Sequence, residues 1–290
     1  MRKIKDGMIL QDRYQVVRKI GEGGMSDVFL VKDLHLGKHW ALKRTNLNED
    51  AEWRLQAYMV EKEFLRCVSH PVFPMLADSF TEGNDCYLVM EFIEGETLES
   101  YLKRKKRMKL ADADKLIRQI MDALSYLHRY TPSIIYGDLK PANIMLQQDK
   151  RARLLDFGSA MWGTQRFVLG TPEYAAPEQV SKESQVVDER SDIYGVGVLY
   201  AEMLTGKKAG GTYLEDPFLP KRVRSFIFRC TRVNPAERFQ SMEEAIKALD
   251  EREEKGWGRK KLPFLLQDVE RIILTEDDSM LESGYEKKKI

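Results

Sequence analysis

Residues Ser133 to Leu146 read S-I-I-Y-G-D-L-K-P-A-N-I-M-L. One carboxylate, one lysine and one amide, Asp138, Lys140 and Asn143, stand close together between apolar runs. An aspartate so placed can orient a hydroxyl and accept its proton. The lysine can neutralise charge on a phosphoryl group in transfer, and the amide oxygen can hold a divalent metal. Thirteen residues after Asn143, the stretch L-L-D-F-G brings a second oxygen donor, Asp156. Such oxygen donors suit Mg²⁺, which also takes phosphate oxygens.

Upstream, Ile20 to Phe29 reads I-G-E-G-G-M-S-D-V-F, with Gly21, Gly23 and Gly24 between two β-forming runs. A glycine turn lets backbone N–H groups approach phosphate closely, though a plain hairpin has the same pattern. The strand–loop–strand context argues against a dinucleotide fold, which needs a helix after the glycines. W-A-L-K ends at Lys43, on a strand otherwise fit for burial. An ammonium there is costly unless it meets anions. A phosphate is one choice; Glu61 or Glu63, on the helix that follows, is another. The plainer alternative is a surface lysine with its stem packed.

The first ninety or so residues read as strand-rich, with strands near Tyr14–Ile20, Asp27–Lys32, His39–Arg44 and Cys86–Phe92. One helix is expected from about Glu52 to Val68, with Leu55, Met59, Phe64 and Leu65 as its apolar positions. After Gly95 helical spacing takes over. Leu116, Ile120, Leu124 and Leu127 make one face, widened by Ile117 and Met121. Ile193, Val196, Tyr200 and Met203 make another, closed by Gly206; Phe226, Cys230, Ile246 and Leu249 belong to later helices. The expected organisation is a β-rich lobe over 1–93, a helical lobe over 94–250 and a tail over 251–290, helix-capable in part or a linker. A cleft between lobes is a common place for a ligand.

Bulk properties exclude little but point one way. The chain has 290 residues, with 47 Lys plus Arg against 46 Asp plus Glu. That balance gives no general basis for nucleic-acid or membrane binding. The basic run Lys103 to Lys109 reads best as a solvated helix end. Cys67, Cys86 and Cys230 lack metal or disulfide spacing, suit a reducing compartment and read as small buried hydrophobes. No segment approaches the roughly 18 apolar residues of a membrane span. A cytoplasmic location is expected.

Taken in order, the motifs resemble those of a eukaryotic-type Ser/Thr protein kinase, and G-G-M-S-D-V is similar to bacterial members. After the glycine turn come A-L-K, the helix with Glu61, D-L-K-P-A-N, D-F-G, G-T-P-E-Y-A-A-P-E, S-D-I-Y-G-V-G and N-P-A-E-R-F, together spanning roughly residues 14 to 250. The resemblance implies an α+β bilobal fold, with a small β-rich lobe carrying one main helix and a larger helical lobe. It implies ATP with Mg²⁺, for which Mn²⁺ can substitute, and protein Ser/Thr acceptors, the chain itself included. Asp138 would be the catalytic base and Lys140 the phosphate neutraliser. Asn143 and Asp156 would hold metal, and Lys43 would grip phosphates and pair with Glu61. Gly21, Gly23, Gly24, Val28, Ala41, Met90, Glu91, Ile93 and Met145 would enclose the nucleotide. Thr171 would seat the acceptor. Glu178 with Arg238 would be a buried ion pair, Asp192 an anchor of the catalytic loop, and Leu65, Leu76, Tyr136 and Phe157 an apolar column.

Three departures qualify this. Tyr-Gly-Asp stands where the family usually has His-Arg-Asp, so Gly137 replaces an arginine that ordinarily receives an activation-loop phosphate. Ser26 replaces the third glycine of the nucleotide loop, and the chain between Gly206 and Arg224 is short for the helix usual there. Gly137 implies activity without activation-loop phosphorylation. The competing readings are a nucleotide-binding scaffold without catalysis, and a kinase for aminoglycoside- or choline-like small molecules.

Overall fold

A computed structural model of the chain describes residues 4–23, 26–48, 51–164, 171–181, 186–207, 216 and 219–251. Met1–Asp250 make one compact unit and Glu251–Ile290 a second, of which only Glu251 is described. The expectations for Gly24, the tail and most of the short Gly206–Arg224 stretch fall outside the described residues.

Six antiparallel strands come first: β1 (Ile9–Leu10), β2 (Tyr14–Glu22), β3 (Ser26–Asp33), β4 (His39–Asn46), β5 (Leu76–Glu82) and β6 (Asp85–Glu91), in the order β1-β2-β3-β4-β6-β5. Strand side chains alternate between faces. On β4, Trp40 and Leu42 enter a small cluster with Val31, Tyr87 and Val89, while Ala41 faces the large core. Lys43 shares the face of Ala41. On β6, Leu88 and Met90 face the large core in the same way.

α1 (Ala51–Cys67) crosses the face of this sheet and buries Tyr58, Glu61, Phe64 and Leu65. Leu55 and Met59, expected inward, are 42% and 50% exposed. Only the stripe running from Tyr58 through Leu65 is buried, so apolar residues off that stripe stay in solvent.

The helices follow. α2 (Leu98–Lys105) starts after the short strand β7 (Glu96–Thr97), and its C-terminus carries the basic run. Lys103 pairs with Glu99 at 3.0 Å and Arg104 with Glu96 at 2.5 Å, as a solvated helix end should. α3 (Leu110–His128) buries Leu116, Ile117, Ile120, Met121, Leu124 and Leu127. Each such side chain contributes about 1.5–3 kcal/mol of burial. α5 (Glu189–Thr205) packs on α3; it begins at Asp188, which accepts from the Arg190 amide, and ends at Gly206 with φ +71°. α6 (Lys221–Cys230) and α7 (Met242–Asp250) complete the layer. Between α3 and α5 lie β8 (Ile134–Ile135), β9 (Ile144–Leu146), β10 (Ala152–Leu154), β11 (Met161–Trp162) and the single turn α4 (Pro177–Val180). β9 pairs with β7 and β10, and β11 with β8.

Cys86 and Cys230 are buried, as expected, but Cys67 is exposed, because it ends α1 off the buried stripe. Among the described residues no helix is long and apolar enough to cross a membrane.

Candidate active site

Lys43 Nζ donates to both carboxylate oxygens of Glu61, at 2.8 and 2.7 Å, and to Asp156 Oδ1 at 2.9 Å. Glu63, the other carboxylate on the same helix, pairs with Arg66 at the surface. Burial alone would lower the Lys43 pKa, but the charges of Glu61 and Asp156 outweigh it and hold the ammonium above the ordinary lysine value. The Lys43 charge holds Asp156 below the ordinary aspartate value. Burial pushes Glu61 upward against the pull of Lys43. Asp156 adopts φ +62°. A non-glycine residue takes that conformation at a cost of about 1–3 kcal/mol and keeps it only where neighbours enforce it.

A second cluster surrounds Asp138. Its Oδ1 accepts from the Thr171 amide at 3.1 Å and the Thr171 hydroxyl at 2.9 Å. Its Oδ2 accepts from Asn143 Nδ2 at 3.0 Å and pairs with Lys140 at 2.6 Å. Lys140 also donates to Thr171 Oγ1 at 2.7 Å. Asn143 Nδ2 further donates to the Asp138 carbonyl, so its side-chain oxygen is what Asn143 has left to offer. The Leu155 amide donates to the Asn143 carbonyl at 2.8 Å, which sets Asp156 one residue from that contact.

The scaffold is polar and buried. Asp192 accepts from the amides of Tyr136 and Gly137, both at 2.9 Å, and meets His128 Nε2 at 2.8 Å. Glu178 and Arg238 form a bidentate pair at 2.6 and 2.7 Å. Ser191 donates to Glu178, and Arg238 to the carbonyls of Arg190, Arg232 and Val233. Phe157 meets Tyr136 edge-on at 5.9 Å, and Leu65 and Leu76 pack in or against the same core.

On the sheet, Val28, Ala41 and Met90 face the large core, and Ala41 pairs with Met90. Gly21 pairs with Val28, and the Gly23 amide closes the turn onto the Ser26 carbonyl at 2.9 Å. Ile93 is buried, and Met145 lies half-buried between Thr97 and Arg153. The Glu91 amide donates to the Met75 carbonyl at 2.9 Å, so that amide is already engaged.

Three contributors, Phe73, Arg153 and Gln179, had no sequence signal, and Phe64 was expected only as an apolar position of α1. Phe64 stacks on Phe157 at 4.2 Å and Phe73 meets it edge-on at 5.7 Å. Arg153 grips the Glu91 carboxylate through both terminal nitrogens. Gln179 donates to the Gly137 carbonyl at 2.8 Å.

Residues 14–249 match the family described as "Protein kinase domain". The chain belongs to that family. Its kinase domain is similar to several bacterial proteins. Serine/threonine-protein kinase PrkC of Bacillus subtilis is 27% identical over 97% of this chain and 47% of its own length. Serine/threonine-protein kinase pkn2 of Myxococcus xanthus is 35% identical over 70% of this chain and 25% of its own. Serine/threonine-protein kinase PknB of Mycolicibacterium smegmatis is 30% identical over 81% and 42%. The chain thus spans less than half the length of these relatives. Its six-stranded sheet with one helix, followed by a helical region, is the protein kinase fold.

Proposed function

We propose that this chain transfers the γ-phosphoryl group of ATP to Ser or Thr hydroxyls of proteins, itself among them. One observation carries the reading: Lys43 joins Glu61 of α1 to Asp156, while Asp138, Lys140, Asn143 and Thr171 form one hydrogen-bonded cluster. The donor set fits Mg²⁺. Asn143 and Asp156 offer only oxygen, and among the described residues no group of three or more His, Cys, Asp or Glu could hold a metal alone. A cation here therefore takes further oxygens from phosphate or water, as Mg²⁺ does. When bound, Mg²⁺ screens phosphate charge.

The chain's own residues supply positioning and charge. Lys43 stays charged and holds phosphate oxygens on the face that bears Val28, Ala41 and Met90. Asp138 orients the acceptor hydroxyl and takes its proton as the new O–P bond forms and the bond to the leaving diphosphate breaks. Lys140 neutralises charge on the group in transfer, and Thr171 helps seat the acceptor beside Asp138. Glu91 and Ile93 would serve the base with backbone groups, and Gly21, Gly23, Gly24 and Met145 would close around it. Positioning and electrostatic stabilisation together account for most of the acceleration such transfers need.

Activity on this reading does not wait for phosphate on the activation segment. Gly137 takes φ +78°, and a Cβ there would lie 2.9 Å from the Ser159 carbonyl oxygen. Thr171 is already bonded to Asp138 and Lys140. A cytoplasmic setting belongs to the same proposal.

The test is the purified chain with Mg²⁺ and γ-labelled ATP, with and without generic protein acceptors, followed by mapping of labelled residues. Label on Ser and Thr of protein, abolished by Asp138→Asn with nucleotide binding retained, is expected. Label confined to small molecules would replace this reading with the small-molecule one. Phosphatase-treated protein and Thr164→Ala should keep full activity.

A further inference from the structure

Gly137 sits directly before Asp138, and both of its peptide groups are held. Its amide donates to Asp192 Oδ1 of α5 at 2.9 Å, and its carbonyl accepts from Gln179 Nε2 of α4 at 2.8 Å. Gln179 is 3% exposed, and its other end is engaged too, since Oε1 accepts from the Ala176 amide at 2.9 Å. One buried amide thus joins the end of the activation segment to the peptide bond that enters the catalytic aspartate. The space left around it is about 10 Å³, lined by Asp138, Thr171, Gln179, Ser191 and Asp192 among others. That is room for about one water, so the contact has little freedom to slip.

We propose that Gln179 is a positioning residue for phosphoryl transfer: it holds the Gly137–Asp138 peptide, and with it the Asp138 carboxylate, in register with the activation segment. The idea rests on the kinase reading above and supplies its regulatory counterpart. Where an arginine before the aspartate would tie the two segments together through a phosphate, this chain has glycine and a neutral buried amide. The tie is permanent and uncharged. It orients the acceptor-binding carboxylate rather than the nucleotide, so its loss should appear in turnover. Lys43, Glu61 and Asp156 hold one another without Gln179.

The test compares Gln179→Leu and Gln179→Glu with the unaltered chain. Gln179→Leu leaves two buried backbone groups unpaired and should lower kcat about ten-fold, a change equivalent to one well-placed hydrogen bond. KM for ATP and the ATP-induced shift in melting temperature should not change. Gln179→Glu keeps an acceptor for Ala176 but turns a carboxylate oxygen on the Gly137 carbonyl. Protonation of the introduced carboxyl restores a donor, and burial raises the pH at which that occurs. Activity relative to the unaltered chain should therefore climb as pH falls, a signature that loss of packing cannot produce. If the unaltered chain transfers phosphate and both variants match it, or if kcat and melting temperature fall and KM for ATP rises together without rescue at low pH, the inference is wrong and the kinase reading stands. If the unaltered chain transfers nothing, both fall.

Discussion

At the scale of single residues, Arg238 shows most clearly what holds the site in shape. It is 1% exposed, yet it is charged and donates to Glu178 and to three backbone carbonyls. Every donor has an acceptor, which is the condition under which a buried charge is tolerated. Arg238→Ala leaves the 3% exposed Glu178 without its counter-ion. Loss of about 3–5 kcal/mol of unfolding free energy is expected, read by urea denaturation. Asp138→Asn should act mainly on turnover: transfer falls by about 10²–10⁴-fold, while the amide oxygen can keep the Thr171 contacts and only the Asn143 and Lys140 contacts of Oδ2 are lost. Both positions were legible in sequence, since each stands in a short motif of unusual composition. Gln179 and Arg153 were not. Their partners, Gly137 and Glu91, lie 42 and 62 residues away, and nothing in either neighbourhood marks a buried polar contact.

At the scale of elements, α1 separates what periodicity can tell from what packing decides. Its length was readable to within a residue or so at each end, but its buried face was only half readable. Apolar residues occur on more than one side, and the sheet together with Phe73 and Phe157 selects which side is covered. Phe64 is fully buried against Phe73 and Phe157, whereas Leu55 is exposed. Phe64→Ala should cost about 3–5 kcal/mol. Leu55→Gln should stay within about 0.5 kcal/mol by the same denaturation measurement. A second element-level test concerns the end of α5. Gly206 has φ +71°, and a Cβ there would lie 2.2 Å from the Lys106 carbonyl oxygen. Gly206→Ala should therefore lower stability by more than about 1 kcal/mol, the combined result of strain and collision. That glycine was readable as a helix stop; the closeness of Lys106 was not, since it joins the ends of two helices distant in sequence.

At the scale of the whole molecule, ion pairs bind the sheet to the helical region. Lys43 of β4 reaches Asp156, and Glu91 at the end of β6 meets Arg153 of β10. The order of the motifs implied that the two regions meet, but not which charges join them. These pairs make stability depend on pH with a definite sign. Hydrogen bonds from Arg153 hold the Glu91 carboxyl below its ordinary value, and the charge of Lys43 does the same for Asp156. Elsewhere in the sheet, hydrogen bonds from Arg13 lower Asp33 to about 2. A carboxylate whose pKa is depressed by folding stabilises the folded state fully above its unfolded pKa. It loses that contribution as pH falls through the folded value, because the unfolded chain takes up its proton first. The contribution of these three carboxylates should therefore be level at neutral pH, begin to fall below about pH 4.5 and go on falling toward pH 2. Arg153→Met supplies the control. It should be less stable than the unaltered chain at pH 7, and the gap should narrow as Glu91 protonates in acid. A gap of constant size from pH 7 to pH 3 would mean that Arg153 acts through packing of its stem and not through its charge on Glu91.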